Sequence, residues 1–384
     1  MKKCILCGEE LYDEPLLKLD NVPASAQDIP TKEELCTETG ISLSLCQCKG
    51  CGLVQLDAEP VSYYKDVIRA GGFTQTMIRL REEQYASLIS KYNLKGKKIV
   101  EVGAGRGEFL APLAKFDVRA YGIEHKESLV KIARENGLEV EHGFAQNKEY
   151  KMPNAPFDAF LSFNFLEHQP KPNDMLQCIY SNLAEDGVGI ITVPSWEYIV
   201  EHNGFYELIR DHLAYYTFET LTFAAEKNGF EVLEQKLINR DTLSVVVKKR
   251  KRAQVDALKE NFELLSAGID EYIASNEKQN KKIAVWGAGH QGFTICACTK
   301  LREHVRYIID SAPFKQGKYA PASHIPIVSP KYFETCPVDS ILIVAPGYTD
   351  EIADIIEKQY GSHVEIMVLK SKQLECRNAN KRSL

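Results

Sequence analysis

The sequence predicts an α/β protein in which two parallel-sheet domains follow a small cysteine-rich N-terminal module. More than half of the eleven cysteines lie within the first 57 residues. Between about residues 80 and 247, short β-rich apolar runs alternate with helical patterns, and the same alternation begins again at residue 281. Alternation of this kind is typical of parallel sheets whose strands are joined by crossover helices.

Each alternation supplies its own set of strands. In the first the strand candidates are 98–102, 118–123, 159–164, 187–193 and 243–248, with helices at 109–115 and 127–136. In the second they are 282–286, 305–309, 340–344 and 364–368. These patterns predict a module at 1–57, a Rossmann-like domain at 58–248, a polar linker helix at 249–280 and a second Rossmann-like domain at 281–384.

Composition excludes several classes of protein. The 384 residues are 44% hydrophobic and 26% charged, as in ordinary globular proteins, and the formal net charge of −6 predicts no nucleic-acid partner. No apolar run approaches the roughly 18 residues of a membrane span. Residues 1–4 lack the apolar region of a signal peptide, which predicts a cytoplasmic protein without membrane association. The polar stretch near 250–280 favours a monomer or a weak oligomer.

Two Cys-x-x-Cys pairs predict a metal site in the N-terminal module. The four cysteines are Cys4, Cys7, Cys48 and Cys51. Four thiolates suit tetrahedral zinc, and paired cysteines in a reducing compartment bind metal more often than they form disulfides. Buried structural cysteines and a redox pair are the less favoured alternatives. Cys46 is a competing ligand whose spacing is wrong for a knuckle, and we expect the zinc to be structural.

A glycine-rich turn follows the strand at 98–102. Glycines let the backbone approach a ligand closely, and the next helix directs its N-terminus at that ligand. Glu101 can accept a hydrogen bond from a cationic amino group, Glu124 ends the next strand where a carboxylate accepts ribose hydroxyls, and Phe144 with Ala145 would meet an adenine edge. The turn residues expected to contact the ligand are Gly103, Ala104, Gly105 and Gly107. This arrangement resembles the S-adenosyl-L-methionine site of the class I methyltransferases; the alternative is a tight turn without a ligand.

A second glycine turn has a different spacing. Gly287, Gly289 and Gly292 match Gly-x-Gly-x-x-Gly, and Asp310 ends the next strand about twenty residues on, as a ribose-binding acid would. Taken alone, this pattern indicates NAD and an oxidoreductase. Residues 281–384 offer no independent catalytic set for hydride transfer, so we favour a Rossmann-like domain that packs or binds something else.

Nearly the whole chain resembles the bacterial sugar C-methyltransferases, which act on nucleotide-linked 4-keto-deoxysugars. The resemblance is carried by the cysteine pairs ending in the run 51–56, by the Glu-x-Gly-x-Gly-x-Gly motif and by the long stretch 310–327. It implies a C-terminal domain that helps to bind the sugar nucleotide. The residues that it implies for substrate binding there are Gly287, Gly289, His290, Lys318, Tyr319 and His324.

Two short motifs carry the implied chemistry. The run from Asn164 to His168 resembles the family's Asn-x-x-x-His, and 209–216 resembles its Tyr-x-Glu-His-x-x-Tyr-Phe. The resemblance implies His212 as general base, Asp211 as the carboxylate that orients its ring, and His168 as a second active-site histidine. Asn164 is expected to contact the cofactor or the substrate. The remaining candidates, which would donate a hydrogen bond to the substrate oxygen in place of His168, are Tyr215 and Tyr216.

The chain departs from the family at two tyrosines. Ile209 stands where the family has a catalytic tyrosine, and the run 63–72 replaces a Tyr-His-Ser-Ser-Gly-like motif that supplies another. Arg69 and Tyr64 are candidates to compensate. Two reactions therefore stay open, methylation of carbon through an enolate and methylation of oxygen or nitrogen after deprotonation by His212.

Overall fold

The computed structural model describes residues 3–66 and 74–378, which form two compact units divided between Arg252 and Ala253. The predicted α/β class is confirmed. Within the described residues no helix combines the length and the apolar character needed to cross a membrane.

The first unit contains an antiparallel sheet and a larger mixed sheet. In chain order its strands and helices are β1 (Leu17–Val22), β2 (Ile41–Gln47), β3 (Val54–Leu56), α1 (Gln75–Lys91), β4 (Lys98–Val102), α2 (Leu110–Leu113), β5 (Arg119–Glu124), α3 (Glu127–Glu135), β6 (Val140–His142), β7 (Phe157–Phe163), α4 (Pro172–Asn182), β8 (Leu183–Pro194), α5 (Trp196–Glu201), β9 (Ala214–Tyr215), α6 (Phe218–Lys227), β10 (Phe230–Ile238) and β11 (Thr242–Lys249). Short 3-10 turns lie at Glu34–Cys36, Leu166–His168 and Phe205–Glu207.

The larger sheet has seven strands in the order β10-β11-β8-β7-β4-β5-β6. Strands β4 to β8 run parallel, and β11 is antiparallel to both of its neighbours. The sequence predicts β4, β5, β7, β8 and β11 from their apolar runs, but it does not predict β10. Strand β10 lies at the sheet edge with a largely exposed face, so it lacks a continuous apolar run.

The smaller sheet joins the cysteine-rich segment to the central part of the chain. Its order is β1-β2-β3-β9, so its fourth strand comes from the residues directly after His212. Cys4 and Cys48 are buried in the same apolar cluster as Phe165 and Tyr216 of the larger-sheet region. The segment predicted as a module at 1–57 therefore folds as part of the first compact unit.

The second unit is another α/β sandwich. Its elements are α7 (Asp256–Lys278), β12 (Ile283–Trp286), α8 (His290–Cys298), α9 (Leu301–His304), β13 (Val305–Ile309), β14 (Ile327–Val328), β15 (Ser340–Ile343), α10 (Thr349–Tyr360), β16 (Glu365–Leu369) and β17 (Leu374–Cys376). The sheet order is β14-β13-β12-β15-β16-β17, parallel except for β17. The stretch predicted as a linker helix forms α7, whose Ile269, Tyr272 and Ile273 are buried in this unit's own core.

Candidate active site

The first glycine turn connects β4 to α2. Gly103, Gly105 and Gly107 have φ of 78°, 58° and 87°, a left-handed region that glycine enters without steric cost. The amides of Gly103 and Ala104 both donate to the carbonyl of Ile123 at 3.0 Å, which fixes the turn at the carboxyl end of the parallel strands. Ligands of open α/β sheets bind at this end.

Glu124 braces the same turn. One of its carboxylate oxygens accepts from the amide of Gly105 and the other from the amide of Lys126, each at 2.9 Å. The role of Glu124 as acceptor for ribose hydroxyls stays a prediction. Glu101 is fully buried at the end of β4, directly before the turn.

Phe144 lies in an aromatic cluster on the next loop. Its ring centroid is 6.2 Å from that of Tyr64, 5.9 Å from that of His125 and 6.3 Å from that of Phe165, all with edge-to-face geometry. Ala145 beside it is buried. These rings form an aromatic wall close to the glycine turn 103–107, as an adenine site needs.

A cavity of about 210 Å³ opens where β7 and β8 end. Three parts of the chain that are far apart in sequence line this cavity. They are the N-terminal segment (residues 26–66), the 3-10 turn at Leu166–His168 and the run 209–212. Tyr64 and Phe165 line this cavity and also pack on Phe144, so the cavity and the aromatic wall are neighbours. The principal polar side chains lining the cavity belong to Gln27, Tyr63, Asp66, Asn164, Glu167, His168, Asp211 and His212.

Asn164 directly follows β7 and has a left-handed conformation with φ of 47°. Its side-chain oxygen accepts from the hydroxyl of Thr192 at 2.9 Å. Residues that hold this conformation without being glycine are often at functional sites. Asn164 lines the cavity, and its predicted contact with cofactor or substrate stays a prediction.

His168 and His212 form a pair on the cavity, with ring centroids 4.8 Å apart and planes at 75°. Nδ1 of His168 lies 2.8 Å from the carbonyl oxygen of Asp211, and a carbonyl only accepts, so Nδ1 carries the proton. Burial lowers the pKa of His168, and burial together with the neighbouring His168 lowers the pKa of His212 to about 3. Both rings are therefore neutral near pH 7, and each keeps one nitrogen with a free lone pair.

Asp211 does not orient the ring of His212, which corrects that prediction. Its carboxylate accepts from the hydroxyl of Tyr63 at 2.7 Å and from the amide of Ala26 at 3.1 Å. The Tyr63 hydroxyl also contacts Oγ of Ser25 at 2.6 Å. Asp211 therefore connects the N-terminal segment to the run 209–212 through hydrogen bonds. Tyr63 was missed as a site residue; the only signal was its position in the segment that aligns with a tyrosine-bearing family motif.

Tyr215 and Tyr216 do not line the cavity, although the ring of Tyr215 lies edge-to-face with that of His212, with centroids 6.1 Å apart. The Tyr215 hydroxyl accepts from the amide of Ile209 at 3.0 Å and lies 3.3 Å from its carbonyl oxygen. Pairing of β9 with β3 turns these two side chains into opposite apolar clusters, where both are buried. Arg69, the other compensating candidate, lies outside the described residues.

Glu167 is a site residue to which the sequence analysis gave no role. Its side chain is 1% exposed, and neither carboxylate oxygen has a hydrogen-bond partner among the described residues. Burial raises the pKa of Glu167 to about 8. Its carbonyl accepts from the amide of Leu213 at 2.8 Å, which holds the two histidine motifs side by side.

The two cysteine pairs meet in one cluster. Sγ of Cys4 is 3.6 Å from Sγ of Cys51, and Sγ of Cys7 is 3.3 Å from Sγ of Cys48. All four sulfurs lie within 4.8 Å of one another. Sulfurs bound to one tetrahedral zinc ion would be about 3.8 Å apart, so this donor set fits zinc. Cys46 is buried nearby but does not belong to the cluster.

In the second unit the other glycine turn is closed by Asp310. Its carboxylate accepts from the amides of Ala288 and Ala312, each at 2.9 Å, and from Nζ of Lys315 at 3.0 Å. The acid that an NAD site would direct at ribose is thus engaged within the unit. The substrate residues predicted here lie at the start of α8 (Gly287, Gly289 and His290) and between β13 and β14 (Lys318, Tyr319 and His324), and their roles stay predictions.

Comparison with known families decides the class of enzyme. Residues 77–235 match the family model described as a methyltransferase domain, and residues 248–368 match the C-methyltransferase C-terminal domain. The protein is an S-adenosylmethionine-dependent methyltransferase. Its C-terminal part is similar to the C-terminal domain of the C-methyltransferases, so the resemblance predicted from the sequence is confirmed at that level.

Among its relatives, the C-methyltransferase NovU of Streptomyces niveus is 24% identical over 92% of this chain and 91% of its own length. A ubiquinone biosynthesis O-methyltransferase of Maricaulis maris is 31% identical over 21% of this chain and 34% of its own length. Among solved structures, the magnesium protoporphyrin IX methyltransferase of Synechocystis PCC 6803 with bound SAH aligns with a TM-score of 0.38 and 14% identity. That alignment covers 49% of this chain and 90% of that one.

Proposed function

We propose that this methyltransferase moves the methyl group of S-adenosylmethionine to the carbon beside the 4-keto group of a nucleotide-linked deoxysugar. The reaction would pass through an enolate, with His212 as general base. The observation that carries the proposal is the neutral histidine pair on a cavity that shares Tyr64 and Phe165 with the aromatic wall at Phe144. The likeness to NovU along nearly the whole chain supports carbon as the acceptor.

The chemistry requires a base and a hydrogen-bond donor. A ketone acidifies the hydrogen on the adjacent carbon, and a neutral imidazole facing that hydrogen can take the proton as the enolate forms. The enolate carbon then displaces the methyl group from sulfonium in line, a step in which placement supplies most of the rate. His212 supplies the lone pair, and because its lowered pKa makes it a weaker base than a free imidazole, stabilisation of the enolate oxygen must lower more of the barrier.

Tyr63 is our candidate for the donor to the developing enolate oxygen. Among the described tyrosines lining the cavity, it is the one whose hydroxyl is held in place by a hydrogen bond, to Asp211 at 2.7 Å. The hydroxyl has one hydrogen, which can rotate, so Tyr63 would donate to a keto oxygen in the cavity by turning that hydrogen away from Asp211. A donor that binds the charge developing in the transition state usually contributes more to catalysis than a donor that binds substrate and transition state equally. Tyr63 thus takes the role first expected of Tyr215 or Tyr216.

We further propose that Cys4, Cys7, Cys48 and Cys51 hold a structural zinc ion. Zinc would stabilise the thiolates and cross-link two segments that lie more than forty residues apart in sequence. The smaller sheet then holds β9 firmly, and β9 begins two residues after His212. The metal would therefore contribute to the position of the base without touching substrate.

The decisive experiment locates the transferred methyl group. The enzyme is incubated with S-adenosylmethionine carrying a ¹³C-labelled methyl group and a panel of nucleotide-linked 4-keto-deoxysugars, and the product is examined by NMR. The proposal expects a methyl carbon bonded to ring carbon, together with solvent deuterium uptake at that carbon in the absence of methyl donor. A label on oxygen or nitrogen would contradict carbon methylation. It would support the alternative reaction, in which His212 deprotonates a hydroxyl or an amine.

A further inference from the structure

Three side chains on the cavity form a cluster that the proposed methyl transfer does not use as a unit. Glu167, His168 and His212 each offer one ligand atom, and these atoms lie within 4.8 Å of one another. One oxygen of Glu167 is 4.0 Å from Nε2 of His168. All three residues line the same cavity, and the carboxylate oxygens of Glu167 are the buried members of the cluster.

Two features distinguish this cluster from a chance meeting of polar groups. Glu167 is almost completely buried and has no hydrogen-bond partner among the described residues, a costly state for a polar carboxyl group. His168 is fixed by the bond from its Nδ1 to a backbone carbonyl, which leaves Nε2 free. Histidines that bind metals usually have this arrangement, because the second bond sets the tautomer and the ring orientation.

We propose that Glu167, His168 and His212 bind one divalent first-row transition-metal ion, through one carboxylate oxygen and two imidazole nitrogens. Nitrogen ligands suit Fe²⁺, Co²⁺, Ni²⁺ and Zn²⁺ and disfavour Mg²⁺ and Ca²⁺. Ligand atoms bonded to one such ion are about 3.4 Å apart, so rotations that move these atoms by roughly 1 Å complete the site. Three protein ligands leave further coordination positions open to the cavity.

This site differs in chemistry from the cysteine cluster. Four thiolates hold zinc through soft sulfur ligands, whereas the cavity site has harder nitrogen and oxygen ligands. The two sites can therefore be loaded separately, zinc first at the cysteines and Co²⁺ afterwards at the cavity. Co²⁺ is a suitable probe because its visible absorption reports its ligands, and its unpaired electrons broaden nearby NMR signals.

The binding test uses the full-length protein loaded with one equivalent of zinc and titrated with Co²⁺ by calorimetry and absorption. We expect one additional Co²⁺ per chain, with Kd raised at least about tenfold by Glu167→Gln and by His168→Gln. His202→Gln is the matched control, because His202 is exposed and outside the cluster, and its Kd should equal that of the wild type. If zinc-loaded wild type binds no Co²⁺, or if both cavity variants bind it unchanged, the site does not exist.

A measurement on the wild type guards against misfolded variants. Co²⁺ should broaden the ring signals of His168 and His212 and leave that of His202 sharp. Sharp signals from both cavity histidines at saturating Co²⁺ would overturn the proposal whatever the variants do. Affinity for S-adenosylmethionine, measured by calorimetry, shows which variants keep the fold.

The effect on catalysis rests on the proposed function. A metal ion bound to His212 occupies the lone pair of the proposed base, so Co²⁺ should inhibit methyl transfer at the concentrations that fill the site. Loss of inhibition in Glu167→Gln at the same Co²⁺ concentration would support the link. Stimulation by bound Co²⁺ would keep the metal site and overturn His212 as base, so the two proposals fail separately.

Discussion

Replacing Tyr63 by phenylalanine tests the catalytic arrangement most directly. The change removes one oxygen and keeps the ring that lines the cavity. The lost bond to Asp211 is 2.7 Å long and has a carboxylate acceptor, so it belongs to the stronger, charge-assisted class. Such bonds contribute about 1.5–3 kcal/mol. The enolate oxygen is also an anionic acceptor, so a bond from Tyr63 to it would belong to the same class, and its loss should lower kcat by at most roughly ten- to hundredfold, since about 1.4 kcal/mol is a factor of ten.

Two rates should respond together. One is methyl transfer at saturating donor and sugar nucleotide, and the other is deuterium exchange at the substrate carbon without donor, which isolates enolate formation. Both should fall by a similar factor, while the Kd for S-adenosylmethionine stays unchanged. Tyr206→Phe, which removes the hydroxyl of an exposed tyrosine away from the cavity, is the control. Exchange and kcat within twofold of the wild type would refute the role of Tyr63 in stabilising the enolate.

Three further outcomes follow from the same geometry. His212→Asn should reduce turnover at least a hundredfold, the usual contribution of a general base, while calorimetry gives an unchanged cofactor Kd; wild-type turnover would contradict the base assignment. Glu124→Gln should weaken S-adenosylmethionine binding about tenfold or more, and an unchanged Kd by calorimetry would count against a ribose contact. Cys7→Ser should lose zinc by metal analysis and unfold at a lower Tm, whereas Cys36→Ser, outside the cluster, should match the wild type; equal zinc content in both variants would argue against the cysteine site.

Contacts between residues that are far apart in sequence explain why some residues differ from their predicted roles. Asp211 and His212 are adjacent in sequence, which suggested that one orients the other, yet their side chains leave the backbone in different directions. The partner of Asp211 is 148 residues away, at Tyr63. Likewise, Tyr215 and Tyr216 were expected at the substrate, but their strand pairs with β3 and both hydroxyl-bearing rings are buried. Spacing alone carries no information about such pairings.

Local sequence patterns determined the elements of this protein. Strand β4 begins and ends at the predicted residues, because Ile99, Val100 and Val102 are the apolar side chains of a buried parallel strand and a glycine turn follows at once. The glycine turn after it was readable because three of its residues need positive φ, and the cysteine pairs because metal knuckles have a fixed short spacing. Edge strand β10 escaped prediction since half of its side chains face water and interrupt the pattern.

The tertiary structure alone decided which polar groups share one environment. The burial of Glu167 beside two histidines, and the bond that joins Tyr63 to Asp211, depend on how β9, the 3-10 turn at Leu166–His168 and the N-terminal segment pack together. Hydrophobic periodicity is a short-range property of the chain, so it can be read from the sequence alone. Desolvation and long-range hydrogen bonding are properties of the packed cavity, so they arise only when the distant segments meet.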